Sequence, residues 1–235
     1  MSLPAKDLRA PILCYVTDRN SIALENESSG DRRAALLQRI AAAAAAGVDW
    51  IQIREKDLSA REYSSLVRKA LLQTKPSAPA ANQVVRILVN DRLDIAIAEQ
   101  AAGIHLGENS LPVGNVRAWL RSRSSSPATE NFLVGVSCHS KESAVSAARD
   151  GADYLFFGPI FATPAKAAYG APQGLQRLAE VCSSVSIPVL AIGGIIPDSA
   201  PACLAAGAAG IAAIRLFQNA PDLPSLVSRL RNATH

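Results

Sequence analysis

Aromatic residues make up 5% of this 235-residue chain, and basic residues never cluster beyond pairs such as Arg32-Arg33. Nucleic-acid surfaces combine stacking rings with a basic stripe or groove, and neither is present. The net charge of +4 is scattered over amphipathic stretches, the pattern of a solvated surface. Long apolar runs are missing as well. A bilayer-spanning helix needs about 20 apolar residues, whereas Ala41–Ala46 is a short helix-forming alanine run. The opening residues Met1–Asp7 lack a basic stretch followed by an apolar core, so no secretory signal and a cytoplasmic location are expected. Cys14, Cys138, Cys182 and Cys203 are far apart and show no Cys-x-x-Cys spacing. That argues against structural zinc and a disulfide framework, and for buried free thiols in a reducing compartment. Neither a Gly-x-Gly-x-x-Gly after the first strand nor a P-loop occurs.

What the chain has is alternation. With 49% apolar residues it can bury a full core. Short β-rich runs are predicted at Ile12–Thr17, Trp50–Arg54, Arg86–Asn90, Gly103–Leu106, Leu133–Cys138, Tyr154–Gly158, Val189–Gly193 and Gly210–Arg215. Helical patterns lie between them, near Asp31–Ala46, Ala60–Leu72, Leu93–Ala102, Val116–Arg123, Lys141–Asp150, Leu175–Ser183, Ser199–Ala206 and Asp222–Asn232. Gly47, Gly103, Gly151 and Gly207 follow helices, where glycine suits a left-handed C-cap. Strands apolar on both faces and separated by helices imply parallel pairing. Eight such units in a chain of this size predict one domain over residues 1–235, a single (β/α)8 TIM barrel of parallel strands. A doubly wound open sheet is the alternative. The Ser- and Pro-rich stretches Thr74–Asn82 and Ser122–Asn131 read as loops on the N-terminal face. The chemistry of such a barrel belongs at the C-terminal strand ends.

The residues at those ends are Asp18, Arg54, Lys56, Asn90, Asp91, His105, Ser137, His139, Gly158, Gly193, Gly194 and Arg215, a largely polar set. In Trp50-Ile-Gln-Ile-Arg-Glu-Lys56, strand alternation puts Gln52, Arg54 and Lys56 on one face. Two cations on a buried strand face call for an anion. Asp91 is either a Mg²⁺ ligand or the N-cap of the following helix. Gly193-Gly194 either admits a phosphate to the backbone or makes a tight turn, and Arg215 would lie beside it. Ser137 either donates a hydrogen bond to a phosphate or is a turn residue. Lys166 sits in a long loop after strand six, from Pro159 to Gly174, either surface or functional. His105 reads as a hydrogen-bonded interior histidine, and His139 as a base nearer the opening.

Taken in order, several motifs resemble the thiamine phosphate synthase/TenI family: Tyr15-Val-Thr-Asp18, Gln52-Ile-Arg-Glu-Lys56, Val89-Asn-Asp-Arg92, Gly103-Ile-His-Leu-Gly107, Gly135-Val-Ser-Cys-His-Ser140, Gly158-Pro-Ile-Phe-Ala-Thr-Pro-Ala-Lys166 and Ala191-Ile-Gly-Gly-Ile195. The resemblance implies Mg²⁺-dependent coupling of hydroxymethylpyrimidine diphosphate to thiazole phosphate, with pyrophosphate leaving first. It implies that Arg54, Lys56 and Asn90 grip the diphosphate with Gln52 beside them. Asp91 would bind Mg²⁺, and Lys166 would neutralise the leaving group. Thr163 and the Gly194 loop would hold the thiazole phosphate, and Ser137 would contact the pyrimidine. Three positions depart from the synthase pattern: Ser110 replaces a second acidic residue, Ala165 a threonine, and Arg215 a serine. TenI proteins share the barrel but shift a proton on a thiazole carboxylate phosphate without metal, and there His139 would be the base. The intact Gln52/Arg54/Lys56 set, Asn90-Asp91 and Lys166 favour the diphosphate reaction. A non-catalytic phosphate-binding barrel is the third reading. The expected partners are these small molecules, not nucleic acid or membrane, and the pattern is compatible with a homo-oligomer.

Overall fold

The computed structural model describes residues 11–22, 29–75, 84–123, 129, 131–163 and 171–232. Eight strands, β1 (Ile12–Val16), β2 (Trp50–Ile53), β3 (Arg86–Asn90), β4 (Gly103–Leu106), β5 (Leu133–Cys138), β6 (Tyr154–Phe157), β7 (Val189–Ile192) and β8 (Gly210–Ala213), form one closed barrel in chain order. Every pairing is parallel, including β1 with β8. Around it lie α1 (Ser29–Ala45), α2 (Ala60–Gln73), α3 (Leu93–Ala98), α4 (Val113–Arg121), α5 (Lys141–Arg149), α6 (Gly174–Ser184), α7 (Ala200–Ala205), α8 (Arg215–Gln218) and α9 (Leu223–Arg231). This is the (β/α)8 barrel of the sequence pattern, and the open-sheet alternative falls.

The continuous apolar strand runs are explained by two cores. Outward residues such as Leu13, Ile51 and Val89 pack against the helices. Inward ones, among them Cys14, Trp50, Leu88, Tyr154, Phe156 and Leu190, fill the barrel. Tyr154 crosses the interior over Gly135, where a Cβ would come 1.9 Å from its ring. All four cysteines are buried, and none is in a disulfide. Among the described residues no helix is long and apolar enough to cross a membrane.

Two devices of the same build fasten the N-terminal strand ends. The residue before β2, Asp49, accepts from Leu13 N at 2.7 Å and from the Arg231 guanidinium at 2.8 Å. The residue before β6, Asp153, accepts from Val134 N at 2.7 Å and pairs with Arg117. In each case a helix arginine neutralises a carboxylate that caps a neighbouring strand.

Some boundaries differ from expectation. Gly103 is no helix cap: it starts β4, where a Cβ would lie 2.3 Å from the Leu133 carbonyl oxygen, and Gln100 takes the left-handed conformation instead (φ 55°). Strand β8 stops at Ala213, so Arg215 opens α8 instead of ending a strand. The turn after β7 runs on to a helix beginning at Ala200, one residue past the expected Ser199. Most of the two Ser- and Pro-rich loops lies outside the described residues.

Candidate active site at the barrel mouth

At the open end of β2 and β3, polar side chains bond in series. Gln52 is inward and buried, and its Nε2 donates to Asn90 Oδ1 at 2.9 Å. Asn90 Nδ2 donates to Asp91 Oδ2 at 2.7 Å. The other carboxylate oxygen, Oδ1, accepts from Gly107 N at 3.3 Å and from the Ser110 hydroxyl in a close hydrogen bond. Asp91 holds φ 59°, a left-handed conformation that Asp tolerates better than most residues and that collects at functional sites. The N-cap reading of Asp91 is therefore overturned: Arg92 caps α3, with no side-chain hydrogen bond, and the carboxylate turns toward Ser110. Ser110, read only as a missing acid, is a direct partner of Asp91.

The alternation argument holds for Gln52 but not for Lys56. Strand β2 ends at Ile53, and Lys56 is exposed in a turn. The reason is Glu55. Thr17 Oγ1 donates to Glu55 Oε1 at 2.7 Å while accepting from Arg54 N at 2.9 Å, which pulls the chain onto the end of β1. Arg19 adds its backbone N–H at 3.1 Å and its guanidinium at 3.0 Å to Glu55 Oε2, then grips Asp57 at 2.6 and 2.7 Å. Burial pushes the Glu55 carboxyl up, opposed by the Thr17 and Arg19 hydrogen bonds. Arg19 holds the Asp57 carboxyl down to about 2. Among the described residues, the side chains of Arg54 and Lys56 make no hydrogen bond or ion pair. Thr17, Arg19, Glu55 and Asp57 were not foreseen, although the alternating charges of Arg54-Glu-Lys-Asp57 carried the signal.

Deeper in the barrel, His105 is the interior histidine expected. Its Nδ1 meets the Tyr154 hydroxyl at 3.1 Å and its Nε2 the Ser137 hydroxyl at 2.9 Å. A buried phenol must place its proton on an acceptor. With Nδ1 in that role, Nε2 carries the imidazole proton and Ser137 accepts, so the serine proton is left for a further partner. His139, just before α5, bonds through Nδ1 to the Gly158 carbonyl. A carbonyl only accepts, so Nδ1 donates its proton there, and in the neutral ring the lone pair is on Nε2.

Across the mouth, Gly193 and Gly194 adopt φ 95° and 68°. A Cβ on Gly194 would come within 2.6–2.7 Å of the Phe161 and Ala162 carbonyl oxygens, so close approach of the β6 loop requires the glycines. Arg215 Nη2 donates to Thr163 Oγ1 at 3.1 Å, joining two residues expected at one phosphate. Lys166 and Ala165 lie outside the described residues.

A closed parallel barrel with cations, a carboxylate and hydroxyls gathered at its C-terminal strand ends is the layout of a (β/α)8 enzyme. The family model described as thiamine monophosphate synthase matches residues 16–217. A thiamine-phosphate synthase of Moorella thermoacetica is 40% identical over 195 residues, 83% of this chain and 86% of that one. Another, from Methanoculleus marisnigri, is 41% identical over 190 residues, 81% of this chain and 83% of its own. The solved thiamine phosphate pyrophosphorylase from Pyrococcus furiosus superposes with a TM-score of 0.73 at 31% identity, covering 97% of both chains. The chain belongs to the thiamine monophosphate synthase family.

Proposed function

We propose that this chain acts, as one domain in the cytoplasm, as a thiamine-phosphate synthase that couples hydroxymethylpyrimidine diphosphate to thiazole phosphate. The bond from the pyrimidine methylene carbon to the diphosphate oxygen breaks, and its electron pair leaves with pyrophosphate. The thiazole nitrogen lone pair then forms the new C–N bond. The observation that carries this reading is that Arg54 and Lys56 have no anionic partner among the described residues, directly after the Gln52–Asn90–Asp91 series. Unpaired cations beside such a series stabilise charge that grows on a leaving oxygen.

In this scheme Arg54, Lys56 and Asn90 hold the diphosphate, and Gln52 fixes Asn90. Lys166, by its place in the Phe161–Lys166 motif, meets the leaving group. Ser137 directs its free proton to the pyrimidine. Thr163, Arg215 and the backbone at Gly194 hold the thiazole phosphate, with Arg215 supplying the charge for which Ala165 offers no hydroxyl. Mg²⁺ suits the donors: Asp91 gives one hard carboxylate with the Ser110 hydroxyl beside it. That set matches an ion that takes one or two carboxylates and otherwise water and substrate oxygens. When bound, it neutralises charge on the departing diphosphate.

With both substrates and Mg²⁺, purified protein is expected to form thiamine phosphate, and Lys166→Ala or Asp91→Asn to lower turnover on the order of 10²–10³-fold. A second reading, proton transfer on a thiazole acid, is favoured by His139, whose Nε2 makes no hydrogen bond among the described residues. Isomerisation lost in His139→Ala, without coupling, would establish it instead. Phosphate binding with neither turnover would mark a non-catalytic barrel.

A further inference from the structure

The charged networks of the barrel sort into two kinds. Arg117–Asp153 and Arg231–Asp49 fasten helices to the barrel floor, and Arg68–Glu99 joins helix surfaces. Among the described residues, the Arg19 network is the ion-pair network that bonds to the turn carrying Arg54 and Lys56. We propose that Arg19 is a positioning residue that captures both carboxylates of the Arg54-Glu55-Lys56-Asp57 turn, and so keeps its two cations available to a diphosphate. This rests on the reading that those cations bind diphosphate.

Four alternating charges in a row would otherwise tend to pair with one another. Arg19 Nη1 reaches Glu55 Oε2 at 3.0 Å and Asp57 Oδ1 at 2.6 Å, and Nη2 reaches Asp57 Oδ2 at 2.7 Å. The fork geometry of a guanidinium makes this double capture available to arginine and not to lysine. Arg19 is itself held from below. It opens a 3-10 turn whose Asp18 carbonyl and Ser21 hydroxyl both bond to Gln218 Nε2, at 2.8 and 2.6 Å. The two anions differ in what they do if released. Glu55 is buried on Thr17, so without a counter-charge it takes up a proton. Asp57 is exposed, so it stays charged and is free to swing onto Lys56 or Arg54.

The test is calorimetric titration of the full-length protein with inorganic pyrophosphate. Arg19→Ala is expected to weaken binding about tenfold, the scale of one charge-assisted contact. Adding Asp57→Asn to Arg19→Ala is expected to restore most of that loss, because the freed anion is gone. Asp57→Asn alone should bind as the parent does. If Arg19→Ala does not fold, Arg19→Lys replaces it, with the same rescue expected from Asp57→Asn. A structural staple would behave differently: removing its second partner would leave binding weak, and that result overturns the proposal. Pyrophosphate binding unchanged by Arg19→Ala overturns it as well. Arg54→Ala and Lys56→Ala serve as controls. If neither alters pyrophosphate binding, the diphosphate reading itself falls, whatever Arg19 does.

Discussion

Asp91 shows how one residue can be read two ways until its backbone is known. An aspartate after a strand and before a helix serves equally as an N-cap and as a metal ligand. The left-handed φ of 59° swings its carboxylate away from α3 and onto Ser110 and Gly107. Gln52 was legible because alternation is reliable within a strand. Lys56 was not, since the strand stops at Ile53 and tertiary bonds from Thr17 and Arg19 set the turn. Those contacts span 36 to 38 residues and leave only a local charge pattern in the sequence. They also give a pH signature. The Asp57 carboxyl lies at about 2, below its ordinary 3.8. A depressed acid adds stability that is present above its unfolded pKa and is lost as pH falls through the folded value. Thermal midpoints of the parent should therefore drop more than those of Asp57→Asn between pH 3.8 and about 2. Parallel curves would contradict the Arg19–Asp57 bond.

Elements were the most legible level. Apolar runs alternating with helical patterns placed all eight strands, because a strand buried on both faces leaves an unbroken hydrophobic signature. Helix ends were less clear. Glycine at 103 relieves crowding against Leu133, so it looked like a cap and was not one. The floor devices could not be read from pattern, since each joins a helix arginine to a distant strand. Arg117 bonds to Gly151 O at 2.7 Å and pairs with Asp153, which caps Val134. Arg117→Ala leaves that half-buried carboxylate without its cation. It is expected to lose about 1–3 kcal/mol of stability in urea unfolding while leaving pyrophosphate affinity unchanged. Equal loss of both would mean that floor and mouth are coupled.

At the scale of the whole molecule, eight units of this length leave closure as the natural solution, and closure brings every strand end to one rim. That is why residues from 18 to 215 could be assigned to one site before their contacts were known. The distribution around the rim is what the sequence could not supply. The Gln52–Asn90–Asp91 series lies at the ends of β2 and β3, and the Thr163–Arg215 pair joins the segments that follow β6 and β8. In the function proposed above, the first cluster takes the pyrimidine diphosphate and the second the thiazole phosphate. The central claim is that this mouth expels pyrophosphate. Its most direct test is to measure pyrophosphate and thiamine phosphate together in one reaction as Mg²⁺ is titrated. Equal amounts of both, rising with Mg²⁺ and abolished by chelator, are expected. Thiazole isomerisation without pyrophosphate, at any Mg²⁺ concentration, would contradict the account.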